Sequence, residues 1–108
     1  MNYKQKETIR RDNLNLLEWH ETSHINCFRL NVGNTFEHEL KKFEIFYDLR
    51  KNKEDVITEA RFKCGIRADV FEINAGIIWE VMHTETNQSI SEKQNKLPAH
   101  IRIIKVKT

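Results

Sequence analysis

Two runs rich in β-forming residues, Arg67-Ala-Asp-Val-Phe-Glu-Ile73 and Ile77-Ile-Trp-Glu-Val-Met-His83, are joined by the short segment Asn74-Ala75-Gly76. Strand-forming runs joined by a short turn that contains glycine are typical of an antiparallel hairpin. If the first two residues of the turn form the loop, Asp69 on one strand directly faces Glu80 on the other. The hairpin therefore places two acidic side chains next to each other.

This acidic pair needs a physical reason, because like charges directly opposite each other destabilise a sheet. A bound divalent cation would supply one, and two carboxylates favour Mg²⁺ or Mn²⁺ over zinc because these ions prefer hard oxygen ligands. Two alternatives stay open. Arg61 or Arg67 could neutralise Asp69 and Glu80 in a salt-bridge cluster, or the register could differ by one residue.

Upstream of the hairpin, residues 36 to 51 show a helical pattern. Apolar residues recur at spacings of 4, 3 and 4, which predicts a stripe on a helix that faces the core: Phe36, Leu40, Phe43 and Tyr47. Asn34 and Thr35 are candidate caps of this helix. A strand is predicted over Val56 to Phe62, and Gly65 lies where it turns into the hairpin.

Downstream of the hairpin, residues 89 to 97 predict a short helix, with Ser89 or Ser91 as its cap and Pro98 at its end. His100 to Lys107 then predicts a closing strand. The fold class is therefore α/β (α+β): a helix, a three-stranded meander, a short helix and a strand. We expect a single domain over residues 1 to 108, with its core in residues 36 to 107. Residues 1 to 35 suggest only a short amphipathic element of ambiguous type.

One residue breaks the pattern of the predicted helix. On a wheel of 100° per residue, Glu39 falls on the apolar arc between Phe43 and Phe46. A carboxylate in that position must be paired, hydrated or bound to a metal, because burial alone is costly.

These acidic residues lie in segments that resemble the PD-(D/E)XK nuclease superfamily. The resemblance is carried by Glu59 within Val-Ile-Thr-Glu-Ala-Arg-Phe, by Arg67-Ala68-Asp69-Val70, and by Ile78-Trp79-Glu80-Val81-Met82. The segments His38-Glu39-Leu40-Lys41-Lys42 and Ser89-Ile90-Ser91 are similar to the competence-protein-type branch in particular. The match extends over about residues 36 to 97.

The resemblance implies a restriction-endonuclease-like core and hydrolysis of DNA by water that a bound Mg²⁺ (or Mn²⁺) activates. It makes Asp69 and Glu80 the metal carboxylates, with Glu39 or Glu59 as the supporting acid and Glu59 as a further metal ligand. It also makes a homodimer an expectation, since two sites are the simplest way to cut two strands.

The chain departs from the family at its signature lysine, because Met82 stands two residues after the second acid. A thioether cannot stabilise a phosphorane by charge. Lys93, Lys63 or His83 could take the lysine's place, and of these we assign Lys93 to the site. A catalytically inactive, DNA-binding descendant of the fold is the alternative.

A second motif competes with this interpretation. His20-Glu21-Thr22-Ser23-His24 matches H-E-x-x-H, which on a helix would bind zinc and act as a peptidase. A third ligand would have to come from Glu44, His38 or Cys27, and His20, His24 and Cys27 could instead hold a structural zinc. Every convincing strand follows the motif, however, whereas peptidases of this type place their sheet before it.

Composition bounds these hypotheses. With 108 residues, 39% hydrophobic and 31% charged, the chain is long enough for one core and too apolar for disorder. A net charge of +2, with basic residues crowded near both ends, is compatible with a phosphate backbone. The polar first residues do not indicate a secretory signal, so we expect a cytoplasmic protein with Cys27 and Cys64 reduced. Three widely separated glycines exclude a glycine-rich phosphate loop.

Overall fold

The computed structural model describes residues 2–82 and 87–108, with a mixed four-stranded sheet and helices. In chain order the elements are helix α1 (Tyr3–Leu14), a 3₁₀-helix (Trp19–His24), α2 (Phe36–Lys51), β1 (Val56–Arg61), β2 (Arg67–Glu72), β3 (Ile77–Met82), α3 (Asn87–Asn95) and β4 (Arg102–Lys107). From α2 onward, this order matches the one predicted from the sequence.

The strands lie side by side in chain order, from β1 to β4. The first three form an antiparallel meander, and β4 runs parallel to β3. A parallel neighbour needs a crossover connection, and α3 lies within that connection. The hairpin register is the predicted one, since Phe71 pairs with Ile78 and Val70 with Trp79. The alternative of a register shifted by one residue is therefore wrong.

Local signals fixed several element boundaries. The Thr35 hydroxyl accepts the His38 N–H at 3.1 Å and caps α2, as one of the two predicted caps. Gly76 in the hairpin turn has φ of 68°, a left-handed conformation that favours glycine. The predicted caps of α3 are wrong, because Ser89 and Ser91 both lie inside the helix.

The hydrophobic core gathers around the middle of the sheet. Phe62 and Phe71 pack edge to face with their ring centroids 5.0 Å apart. Leu17, only 1% exposed, belongs to this core and forms a bridge with Phe62, so residues before 36 contribute to it. The core members are Leu17, Ile57, Ala60, Phe62, Ile66, Ala68, Phe71, Ile73, Ile78, Leu97 and Ile101. The expectation of a core confined to residues 36 to 107 was too narrow.

Helix α2 packs across β1, β2 and β3, but the predicted stripe does not face the sheet. The residues of the predicted core stripe are all exposed, by 44 to 75%: Phe36, Leu40, Phe43 and Tyr47. The residues that α2 buries are Glu39 and Lys42. A polar network connects this side of the helix to the sheet, and Ile45, Phe46 and Leu49 are half-buried on the same side.

Within the described residues, no helix combines the length and apolarity that crossing a bilayer requires.

Candidate functional site

The central feature of the site is the carboxylate pair of the hairpin. The register of Val70 with Trp79, continued by one residue, sets Asp69 against Glu80. Glu80 is only 3% exposed. Burial, together with the neighbouring charge of Asp69, raises the pKa of its carboxyl to about 8. Ionisation of Glu80 beside Asp69 is therefore unfavourable in this poorly solvated position.

Basic side chains from two helices approach this pair. The Lys93 ammonium of α3 lies 3.4 Å from Glu80 Oε1, and His38 Nε2 of α2 lies 3.5 Å from Asp69 Oδ2. Asp69 Oδ2 also accepts the Val81 N–H at 2.8 Å, which orients its carboxylate. Lys93, assigned to the site from the sequence, is thus beside Glu80.

The arginine alternative has a different outcome. Arg61 and Arg67 are both exposed, and neither forms an ion pair with the carboxylates among the salt bridges of the described residues. The two arginines therefore do not neutralise the acidic pair, and the cation beside Glu80 is Lys93.

Glu39 forms a second polar centre at the start of α2. Its carboxylate accepts hydrogen bonds from the Asn31 N–H at 2.6 Å and from the Asn34 amide at 3.1 Å, and the Lys42 ammonium lies 2.7 Å away. Burial acts to raise the pKa of Glu39, but these bonds, with a further one to His38, outweigh it and lower the pKa to about 2. Of the three alternatives for a carboxylate on this arc, namely pairing, hydration or metal binding, the structure shows pairing.

Lys42 holds this centre against the sheet. Its side chain is fully buried, and its ammonium donates to the Arg29 carbonyl at 2.9 Å. It also lies 3.6 Å from Glu59 Oε2 on β1. A buried ammonium is tolerated only when paired and hydrogen-bonded, and Lys42 meets both conditions. One cation therefore links Glu39 on the helix with Glu59 on the sheet.

Glu59 is half-buried and has a strained backbone. It has φ of 51°, a left-handed conformation that is uncommon for a non-glycine residue and rarer still in a strand. The β1–β2 pairs on either side of it show that it lies opposite Asp69, yet it forms no ladder pair itself. Its Oε1 accepts the Asn31 amide at 2.8 Å, while its buried Oε2 has no hydrogen-bond donor among the described residues.

His38 connects the two centres. Its Nδ1 lies 3.0 Å from Glu39 Oε2, while its Nε2 approaches Asp69. Glu59, Lys42, Glu39, His38, Asp69, Glu80 and Lys93 thus form one continuous series of polar contacts. The sequence patterns did not identify Lys42 and His38 as members of this series. Lys42 could have been found from its position one turn after Glu39 on the same arc of the wheel.

The donor set fits a hard cation only in part. Asp69 and Glu80 supply adjacent oxygens, and Mg²⁺ is commonly held by one or two carboxylates with water and substrate phosphate completing its shell. Across residues 2–82 and 87–108, no three His, Cys, Asp or Glu side chains form a group that could hold a metal. Glu59, expected as a third ligand, is directed to Asn31 and Lys42 instead.

The candidates for the missing signature lysine are spread over the molecule. Met82 is buried, with 6% exposure. Lys63 lies on the exposed turn between β1 and β2, and His83 lies outside the described residues. Of the two substitutes among the described residues, Lys63 and Lys93, the structure places Lys93 at the carboxylate pair.

The H-E-x-x-H motif has a structural role. It lies in a 3₁₀-helix, where residues four apart do not share a face as they do in an α-helix. Glu21, which would be the general base, is fully buried, pairs with Arg29 at 2.8 Å and accepts the Arg61 N–H. Neither the zinc peptidase nor a zinc at His20, His24 and Cys27 has support, since the described residues contain no three-ligand group.

No protein-family model, curated protein or solved structure matches this chain significantly. Its function must therefore be argued from the geometry of its own side chains.

Proposed function

We propose that the protein is a metal-dependent nuclease that hydrolyses phosphodiester bonds of DNA. The observation that carries this proposal is the pair of half-buried Asp69 and buried Glu80, with the Lys93 ammonium 3.4 Å from Glu80. Two adjacent carboxylates and a lysine are the groups that a two-carboxylate Mg²⁺ site for phosphodiester hydrolysis requires.

The order of elements supports the same interpretation. A helix that bears an acid, an antiparallel meander, and a helix leading to a parallel strand resemble the restriction-endonuclease-like core that the PD-(D/E)XK sequence pattern implies. In this arrangement Asp69 lies on the second strand, Glu80 on the third and Glu39 on the helix before them. These are the positions in which the resemblance predicts them.

Each of these groups has a definite role in such a reaction. Mg²⁺ or Mn²⁺, when bound, supplies Lewis acidity and lowers the pKa of a water that attacks the phosphorus. Asp69 and Glu80 provide its oxygen ligands, and ionisation of Glu80 is favoured when positive charge replaces the repulsion by Asp69. Lys93 then directs its charge toward the phosphoryl oxygens, where negative charge develops in the transition state.

Glu39 and His38 act on the site through Asp69. His38 lies between the Glu39 carboxylate and Asp69, so the polar centre of α2 sets the position of the imidazole and, through it, of the metal carboxylate. We assign Glu39 a positioning role, because its own oxygens are committed to Asn31, Asn34 and Lys42. Glu59 is likewise a supporting residue, connected to Glu39 through Lys42.

A second candidate function is favoured by Met82. The buried thioether occupies the position of the signature lysine. The contacts of Asp69 with His38 and of Glu80 with Lys93 are also compatible with a site that no longer takes a metal. The protein would then be a DNA-binding module on the same fold.

The test is cleavage of labelled single-stranded, duplex and branched DNA with Mg²⁺, Mn²⁺ or EDTA. We expect cleavage with either metal, its loss in EDTA, and its loss in Asp69→Asn and Lys93→Met. Lys96→Met, an exposed lysine one turn later, is the matched control and should cut normally. DNA binding that needs no metal, with no cleavage of any substrate, would favour the inactive module and contradict the nuclease.

A further inference from the structure

An exposed apolar strip follows the outer side of α2. Its helical part consists of Phe36, Leu40, Phe43 and Tyr47, which are 75%, 45%, 44% and 57% exposed. Leu30 and Val32, in the segment before the helix, are 63% and 88% exposed. We call these six residues the α2 seam. A large contiguous apolar surface on a folded domain marks an interaction site.

Contacts of the preceding segment show why Leu30 and Val32 belong to the seam. Asn31, between them, is directed inward, since its N–H donates to Glu39 and its amide to Glu59. Its two neighbours are therefore left on the outside. Phe28, two residues earlier, packs against Phe43 with ring centroids 5.3 Å apart, so the segment runs beside the helix.

The seam has the pattern of a helix–helix contact. Its helical residues are spaced by 4, 3 and 4 positions. The a and d positions, which form the contact between two helices packed side by side, have the same spacing. At the exposures above, the three aromatic residues alone leave roughly 350 Å² accessible. The aliphatic residues and flanking charges enlarge this area toward the ~800 Å² per partner of a stable interface.

The charges at the two ends of α2 are complementary to those of a second copy of the helix in antiparallel orientation. The first turn is acidic, with Glu37 exposed, and the last turn is basic, with Arg50 and Lys51. A parallel pair would set like charges and like helix dipoles against each other. An antiparallel pair sets Glu37 near the partner's Lys51, and a two-fold axis repeats this contact.

We propose that the α2 seam is a homodimer interface in which α2 packs antiparallel against α2 of a second copy of this chain. The proposal does not depend on the proposed nuclease activity, because it rests on the outer face of α2 while the carboxylate site rests on the inner face. Either can fail alone.

The test is sedimentation equilibrium of the full chain over a range of micromolar concentrations. We expect a monomer–dimer equilibrium that Leu40→Glu weakens at least tenfold (about 1.4 kcal/mol). Trp19→Glu, on the 3₁₀-helix and 84% exposed, is the matched control and should dimerise normally. A wild-type chain that stays monomeric, or a Leu40→Glu variant that dimerises as the wild type does, would overturn the proposal.

A charge exchange tests the orientation and avoids variants that fail to fold. Glu37→Lys and Lys51→Glu should each weaken the dimer, and the double variant should restore it, because each altered residue then meets its opposite on the partner. Circular dichroism confirms that each variant is folded. Singles that dimerise normally, or a double variant as weak as the singles, would contradict antiparallel pairing.

Discussion

Helix α2 differs from an ordinary amphipathic helix in which residues its two faces bury and expose. The face toward the sheet buries Glu39 and Lys42, whereas the face toward solvent exposes Phe36 and Tyr47. A helix that served only to cover the sheet would place its apolar side inward. We infer that the inner face positions the polar site and that the exposed apolar face is a surface for association.

The largest effect should follow from breaking the inner face at Lys42. Lys42→Met leaves Glu39 and Glu59 without their common cation, and removal of one member of a buried ion pair costs about 3–5 kcal/mol. The free energy of unfolding from urea titration measures this loss.

Phe36→Ser on the outer face of the same helix is the control for Lys42→Met. At a protein concentration too low for association, we expect it to change the free energy of unfolding by less than about 1 kcal/mol. If Phe36→Ser lowers the free energy of unfolding as much as Lys42→Met does, the described difference between the two faces is wrong.

A smaller effect is expected at Glu39. Its pKa is lowered to about 2, so its ionised form stabilises the fold above the ordinary pKa of 4.5, and that contribution is lost as the pH falls through about 2. Glu39→Gln should therefore lower the free energy of unfolding by about 2 kcal/mol at pH 7. Urea titrations at a series of pH values should show this difference shrinking toward pH 2. A difference that does not depend on pH would exclude the ionic contribution.

Glu80 should behave in the opposite sense and by a smaller amount. Its raised pKa of about 8 means that the protonated form favours folding below pH 4.5, and that this contribution is lost as the pH rises through 8. Glu80→Gln should thus stabilise the metal-free protein at pH 9, by roughly 1–2 kcal/mol, and have little effect near pH 4.5. Thermal unfolding at both pH values measures it. Destabilisation by Glu80→Gln at pH 9 would contradict the burial of a charge there.

The contrast between the faces also explains what the sequence could predict. The alternation of apolar residues and the turn glycine were sufficient to predict the hairpin and its register. Side chains in a strand alternate between the two faces of the sheet, so a register slip of one residue would move each of them to the wrong face. The helical wheel identified Glu39 as a polar residue on the apolar arc of α2. Periodicity could not tell which arc of α2 meets the sheet, because the apolar seam and the polar network are both regular patterns.

Other features depended on long-range contacts that no local pattern encodes. The bond of Lys42 to the Arg29 carbonyl and the left-handed backbone of Glu59 are set by tertiary packing. The H-E-x-x-H segment matched a motif, but it does not form the α-helix on which that motif binds zinc. Its Glu21 instead accepts hydrogen bonds from Arg29 and from the Arg61 N–H. For such sites the contacts of each side chain, rather than its sequence pattern, decide its role.

The most direct test of the central claim is titration of Mn²⁺ into the metal-free protein by calorimetry at pH 7, in two buffers of different protonation enthalpy. The account predicts that binding releases protons, because the pKa of Glu80 of about 8 leaves that carboxyl largely protonated before the cation binds. Binding should be lost in Asp69→Asn and kept in Glu59→Gln, whose carboxylate is committed to Asn31 and Lys42. No binding to the wild type, or equal binding in Asp69→Asn, would contradict a cation between Asp69 and Glu80.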